Sequence, residues 1–241
     1  MEICNVDSCT GCGVCCNICK FGAIICEEDR RGFLYPKIDA DKCVKCGLCQ
    51  KHCPANNVYT AESLQIVYAG WNKSKLIKRK SSSGGIFSLL ADWFINNDGY
   101  VVGCAWENNF SVKHICVNNK NDLNKLRGSK YIQSDTGYIY IKVKSLLDSG
   151  KKVLFSGTPC QVHGMRAFLN RDYENLYTVD FVCHGVPPYK MLKKHLQEVS
   201  EGDVDKIANV YLRYKKPCWN FGSVRIEMKS GKTYMCPTVQ D

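Results

Sequence analysis

Cys9-x2-Cys12-x2-Cys15-x3-Cys19 recurs 34 residues later as Cys43-x2-Cys46-x2-Cys49-x3-Cys53-Pro54. Three thiolates on one tight turn can cap a face of an iron-sulfur cubane while nearby amides point at its sulfides, and the fourth ligand must come from elsewhere. In two-cluster proteins with this spacing the fourth cysteine of each run crosses to the other cluster. The expected ligand sets are therefore Cys9, Cys12, Cys15 and Cys53 for one 4Fe-4S centre, and Cys43, Cys46, Cys49 and Cys19 for the other. The competing reading is a pair of zinc sites, but structural zinc motifs rarely place three cysteines at x2, x2.

The repeat reaches beyond the ligands: Asp7 matches Asp41, Gly13 matches Gly47 and Ile24 matches Val58. Two copies of one half-domain follow from it. Lys20 stands where the second run has Pro54, a departure that removes no ligand. Cys4, Cys16 and Cys26 lie outside both runs and read as small buried or idle thiols.

Eleven of the 17 cysteines fall at or before Cys53. An odd number so distributed fits metal ligation in a reducing compartment better than a secreted disulfide framework. The start, Met1-Glu2-Ile3-Cys4-Asn5, lacks the basic and apolar regions of a signal peptide. The longest apolar stretch is interrupted by Asp92 and is too short to span a bilayer. A cytoplasmic protein is expected. Residues 1–61 carry seven basic and seven acidic side chains, so the whole formal charge of +10 lies beyond them. That excess reads either as a solvated lysine-rich surface or as an attraction for an acidic electron donor, with no sign of nucleic-acid recognition.

A chain of 241 residues accommodates a small domain and a larger one. We expect a ferredoxin-like domain over 1–61, a short linker around Asn56 to Ser63, and an α/β domain over 62–241. In the second part, Gly84 to Asn97 has a helical apolar stripe and Tyr100 to Trp106 reads as a buried strand. Lys152 to Ser156, Gln161 to Leu169 and Leu176 to Val182 read as strand, helix and strand, a βαβ unit with parallel strands. Val224 to Lys229 and Lys232 to Met235 read as a hairpin.

Cys160 and Cys183 then stand at strand C-terminal ends, the edge where open α/β sheets bind ligands. Thr158 as N-cap and Pro159 at the first helical position put Cys160 in a first turn that favours a thiolate. It reads as an iron ligand, a redox thiol or a packed small residue. Ser81-Ser82-Ser83-Gly84-Gly85 precedes the first helix, as a phosphate cradle or a plain N-cap. His184 is a turn residue or a proton donor.

Taken in order, Ser82-Ser83-Gly84-Gly85, Arg127-Gly128-Ser129-Lys130-Tyr131, Gly157-Thr158-Pro159-Cys160-Gln161 and Phe181-Val182-Cys183-His184-Gly185, behind two ferredoxin motifs, resemble the family of coenzyme F420 hydrogenase/dehydrogenase beta subunits. The resemblance implies an α+β protein: a dicluster ferredoxin-like domain followed by an α/β domain with a mixed, partly parallel sheet. It implies an oxidoreductase passing electrons between two 4Fe-4S clusters and FAD, which exchanges hydride with a deazaflavin or another organic substrate. The other functional expectation is an electron carrier that docks a redox partner protein or ferredoxin and binds no flavin. By the same resemblance Ser83, Gly84, Gly85, Ser129 and Lys130 line the FAD site, and Cys160 ligates a third cluster, with Cys183 a further candidate. No residue is singled out as catalytic. Family members continue past the hairpin with a close cysteine pair that this sequence lacks, so a chain shortened at its C-terminus is expected.

Overall fold

The computed structural model describes residues 2–57, 66–215 and 223–237. The expected linker residues Thr60 to Ser63, and Val58 of the repeat, lie outside the described residues. In the N-terminal part the two cysteine runs fold alike. Each places a glycine in the left-handed region, Gly13 at φ +79° and Gly47 at φ +74°, as the N-cap of a short helix: α1 (Val14–Ile18) and α2 (Leu48–Lys51). A Cβ is disfavoured at such φ, which is why glycine recurs at this point of the repeat. Between the runs, β1 (Ile24–Glu28) and β2 (Leu34–Ile38) form an antiparallel pair.

The larger part is built on a four-stranded sheet of order β4-β3-β5-β6, from β3 (Tyr100–Trp106), β4 (Val112–Val117), β5 (Val153–Ser156) and β6 (Leu176–Val179). β4 runs antiparallel to β3, while β3, β5 and β6 are parallel. Both expected strands of the βαβ unit are present, the second ending at Val179 rather than Val182. β5 is a continuous buried run, as a sheet covered on both faces requires.

One face of the sheet is covered by α4 (Ile86–Asn96) and α5 (Lys120–Leu126), with Ala91, Phe94, Leu123 and Leu126 buried against Val101 and Leu154. The other carries α6 (Ile139–Asp148) and α7 (Pro159–Leu169), which bury Tyr140, Val143, Met165 and Phe168 on Val102 and Phe155. Each such side chain removed from water contributes about 1.5–3 kcal/mol. This second core also takes in Cys12 and Val14, so the N-terminal part docks through its first cysteine run. A third layer joins α8 (Tyr189–Val199) to the antiparallel meander of β7 (Ile207–Tyr214), β8 (Ser223–Met228) and β9 (Thr233–Pro237). The expected hairpin is β8 and β9. A short helix, α3 (Lys75–Lys80), precedes α4.

Candidate metal centres and cofactor site

Backbone turns around the two glycine caps leave two openings in the N-terminal part. The first, about 320 Å³, is lined by Cys9, Cys12, Cys15 and Cys53, with Cys4, Gly11 and Pro54. Cys19, Cys43, Cys46 and Cys49 line the second, about 330 Å³, beside Phe21 and Val44. Each opening thus gathers three cysteines from one run and the last cysteine of the other. Among the described residues no three His, Cys, Asp or Glu side chains are placed to hold a single metal ion. Each opening offers the four thiols that a 4Fe-4S cluster takes. Burial pushes the Cys12 thiol up to about 12. A thiol in that state is ionised by the metal charge it meets rather than by solvent.

Cys4, expected as a small buried or idle thiol, is partly buried. It lines the first opening, and burial together with hydrogen bonding to Cys53 raises its thiol to about 12. Cys16 and Cys26 meet with their Sγ atoms 2.7 Å apart, joining α1 to β1. The first opening sits against the α/β part. Tyr140, fully buried, donates its hydroxyl proton to the Cys12 carbonyl at 2.7 Å, and the hydroxyl lies 3.2 Å from the Gln161 carbonyl. Asn17 donates to the Gly137 carbonyl at 2.7 Å, and a ring nitrogen of His52 lies 2.7 Å from the Ala167 carbonyl. None of these contacts carries a periodicity signal, so sequence reasoning missed them; the polar Asn17 inside an otherwise apolar turn was the only hint.

α4 precedes β3, and α7 follows the parallel β5, so both helices point their N-termini at the C-terminal edge of the sheet. Gly85 caps α4 at φ +85°. The Ser83-Gly84-Gly85 turn and the loop after α5 meet there: Ser129 N–H donates to Ser82 Oγ at 2.6 Å, and Arg127 Nε donates to Ser88 Oγ at 3.0 Å. Ser83 and Ser129 are exposed above this junction. Lys130 is buried instead, and its ammonium donates to the Lys125 and Arg127 carbonyls at 2.9 and 3.1 Å. It braces the loop, and burial lowers its pKa.

Thr158 is the expected N-cap of α7, with Pro159 in the first turn, and it forms a capping box with Gln161. Cys160 is half-buried, with Sγ 3.1 Å from Thr158 Oγ1, and packs on the core that contains Cys12. It therefore reaches the C-terminal edge from the face opposite the Ser83 turn. The two are bridged by the loop from α5 to α6, where Gln161 Nε2 donates to Ser134 Oγ, which lies 3.1 Å from His114 Nδ1. Cys183 and His184 are exposed on the segment beyond β6. The placement gives a shared edge, approached from the two faces of the sheet.

Two thiol-lined openings on a repeated motif, docked on a three-layer α/β body, define an iron-sulfur protein of the oxidoreductase type. Residues 8–57 match the family described as 4Fe-4S dicluster domain, and residues 35–80 match a second family of that description. Residues 150–239 match the family described as the C terminus of the coenzyme F420 hydrogenase/dehydrogenase beta subunit. The F subunit of the F420H2 dehydrogenase of Methanosarcina mazei is 22% identical over 251 residues, covering 98% of this chain and 68% of that one. The B subunit of the Na+-translocating ferredoxin:NAD+ oxidoreductase complex of Acetobacterium woodii is 44% identical over 46 residues, 19% of this chain and 13% of its own. In the F420-reducing [NiFe] hydrogenase complex from Methanosarcina barkeri, one chain shares the fold with a TM-score of 0.50 at 21% identity, over 69% of this chain and 58% of that one. Residues 8–57 are thus a 4Fe-4S dicluster domain, and residues 150–239 a C-terminal domain of the coenzyme F420 hydrogenase/dehydrogenase beta-subunit type. No helix among the described residues is long and apolar enough to cross a membrane.

Proposed function

We propose that this chain is a cytoplasmic flavin-linked subunit that moves single electrons between a partner protein and an organic two-electron substrate such as a deazaflavin. The observation that carries the reading is the sorting of eight cysteines into two openings, each completed by the other run's fourth cysteine. Cys9, Cys12, Cys15 and Cys53 are the ligands of one 4Fe-4S cluster, and Cys43, Cys46, Cys49 and Cys19 of the second. Such clusters supply one-electron carriage.

FAD belongs at the junction of Ser83, Gly84, Gly85, Ser129 and Lys130, where it supplies conversion between one- and two-electron chemistry. The amides of the α4 N-terminus suit its phosphates, and the Lys130 ammonium adds positive charge from beneath the loop. Support comes from the Ser82 to Ser129 hydrogen bond, which joins two separate motifs over an exposed surface. Cys160 is the candidate ligand for a third cluster on the same edge. The names of the relatives, one from a dehydrogenase and one from a hydrogenase complex, favour work inside an assembly of several subunits.

Anaerobic purification with iron, sulfide and flavin counted per chain tests the whole reading. About eight iron, about eight sulfide and one flavin are expected. Full iron without flavin would leave a pure electron carrier, and a colourless zinc protein would refute both forms.

A further inference from the structure

Two cysteines of the N-terminal part belong to neither opening. Cys16 follows Cys15 in α1, and Cys26 lies in the middle of β1; neither lines the cavity of either cysteine set. Side chains alternate along a strand, so Ile24 and Cys26 share one face of β1 while Ile25 and Glu27 share the other. The first face is turned to α1: Ile24 is buried with Cys16 in one core, and Cys26 packs against it. That packing brings the two sulfurs to 2.7 Å, both as free thiols. Sulfurs so placed need only a small side-chain movement to bond.

The two thiols differ in access. Cys16 is buried, whereas Cys26 is only partly covered, between the exposed Ile25 and Glu27. A reachable thiol poised beside a second one is the arrangement in which thiol–disulfide exchange runs to completion within one chain. The bridge would also fall at a sensitive place. Its span from residue 16 to residue 26 begins one residue after Cys15, which lines the first opening, and encloses Cys19, which lines the second.

We propose that Cys16 and Cys26 form a thiol–disulfide couple, oxidised by a low-molecular-weight disulfide, whose closed form fastens α1 to β1 and so holds the segments of Cys15 and Cys19 in place. The Cys26 thiolate attacks one sulfur of the small disulfide, forming a mixed disulfide and releasing one small thiolate. Cys16 then attacks the Cys26 sulfur, the mixed bond breaks, and the second small thiolate leaves. The two cysteine protons pass to the departing thiolates. In balance the pair loses two electrons and two protons, the small disulfide gains both, and no iron atom changes state. The couple therefore answers to the surrounding thiol pool and stands apart from electron carriage. That Cys15 and Cys19 hold iron rests on the two-cluster reading above; the exchange itself does not.

Oxidised glutathione, added anaerobically to the full, reconstituted chain, tests it. After acid quenching and alkylation of the remaining thiols, the mass should show one internal disulfide per chain, mapped to the peptides of Cys16 and Cys26. Iron and sulfide should be unchanged by the treatment. Cys16→Ser should stop at a glutathione adduct on Cys26, and Cys26→Ser should form neither product. An adduct that persists in the parent chain, a disulfide between other cysteines, or a pair that stays reduced overturns the couple. The disulfide form should release iron to a ferrous chelator about tenfold more slowly than the dithiol form, and equal rates overturn the fastening. Iron and sulfide are counted first: a parent chain short of two centres sinks the two-cluster reading, whereas two full centres in a chain that forms no Cys16 to Cys26 bridge sink only this inference.

Discussion

Gly164 and Cys12 meet across the junction of the two parts so closely that a methyl group on Gly164 would lie 3.3 Å from the cysteine sulfur, 3.4 Å from its Cβ and 3.2 Å from the Tyr140 hydroxyl. Alanine in a helix interior is ordinarily worth up to about 1 kcal/mol over glycine, and here that gain is set against a crowded contact. Gly164→Val adds two methyls more. We expect it to lower the stability of the anaerobic protein by about 1–3 kcal/mol and to perturb the spectrum of the Cys12 centre. Thermal unfolding and spin resonance of the variant check this, and a wild-type melting curve with an unaltered signal would refute the contact.

The crossing of Cys19 and Cys53 makes opposite deletions informative. Cys53→Ala should abolish the centre of Cys9, Cys12 and Cys15, and Cys19→Ala the other, each leaving about four of the eight iron atoms. Site-resolved spectra in which each variant instead loses the centre of its own run would reverse the pairing.

Lys130 spends its ammonium on two loop carbonyls, so Lys130→Met should loosen the loop that carries Ser129. Flavin affinity should weaken about tenfold, equivalent to about 1.4 kcal/mol, near what a charged hydrogen bond contributes. Equilibrium dialysis against FAD measures it, with iron content as the control that should not move.

His114 is completely buried, stacked on Phe155 with ring centroids 5.8 Å apart, and burial lowers its pKa to about 4. Among the described residues its Nε2 has no hydrogen-bond partner at good geometry, although the nearby Ser156 backbone favours protonation. With an unfolded value of about 6.5, the unfolded chain binds more protons between about pH 4 and 6.5. Stability from this group is therefore intact above about pH 6.5 and falls as pH drops towards 4, by about 3 kcal/mol in all. Urea unfolding of His114→Gln against the parent at pH 7.5 and pH 5 isolates the effect; equal acid losses in both would remove His114 as its source.

Local signals reached the parallel sheet well. β3 begins and ends where its apolar run does, and α7 starts at Thr158-Pro159, because capping and strand burial are encoded within a few neighbouring residues. The grouping of the eight cysteines around two openings was legible for a similar reason: spacing and repeat are one-dimensional. What spacing does not carry is which side of a turn faces another layer. Cys12 and Asn17 look like any other members of a ligand turn until Tyr140 and Gly137, more than a hundred residues away, complete their hydrogen bonds. Lys130 shows the same limit, since a lysine in a glycine-serine loop reads as anion-facing, whereas its own loop carbonyls claim the ammonium.

The loop between α5 and α6 has one more contact with the N-terminal part. Gln133 accepts from Leu34 N–H at 2.6 Å through Oε1 and donates to the Leu34 carbonyl at 3.0 Å through Nε2. Its side-chain amide thus imitates a neighbouring strand at one position along β2. A two-stranded ribbon would otherwise offer that rim as a template for stray chains, and unpaired rims of this kind seed edge-to-edge aggregation. By occupying it, Gln133 makes the folded α/β part a guard of its smaller neighbour, so a nascent chain is most vulnerable in the interval before residue 133 has been made and placed.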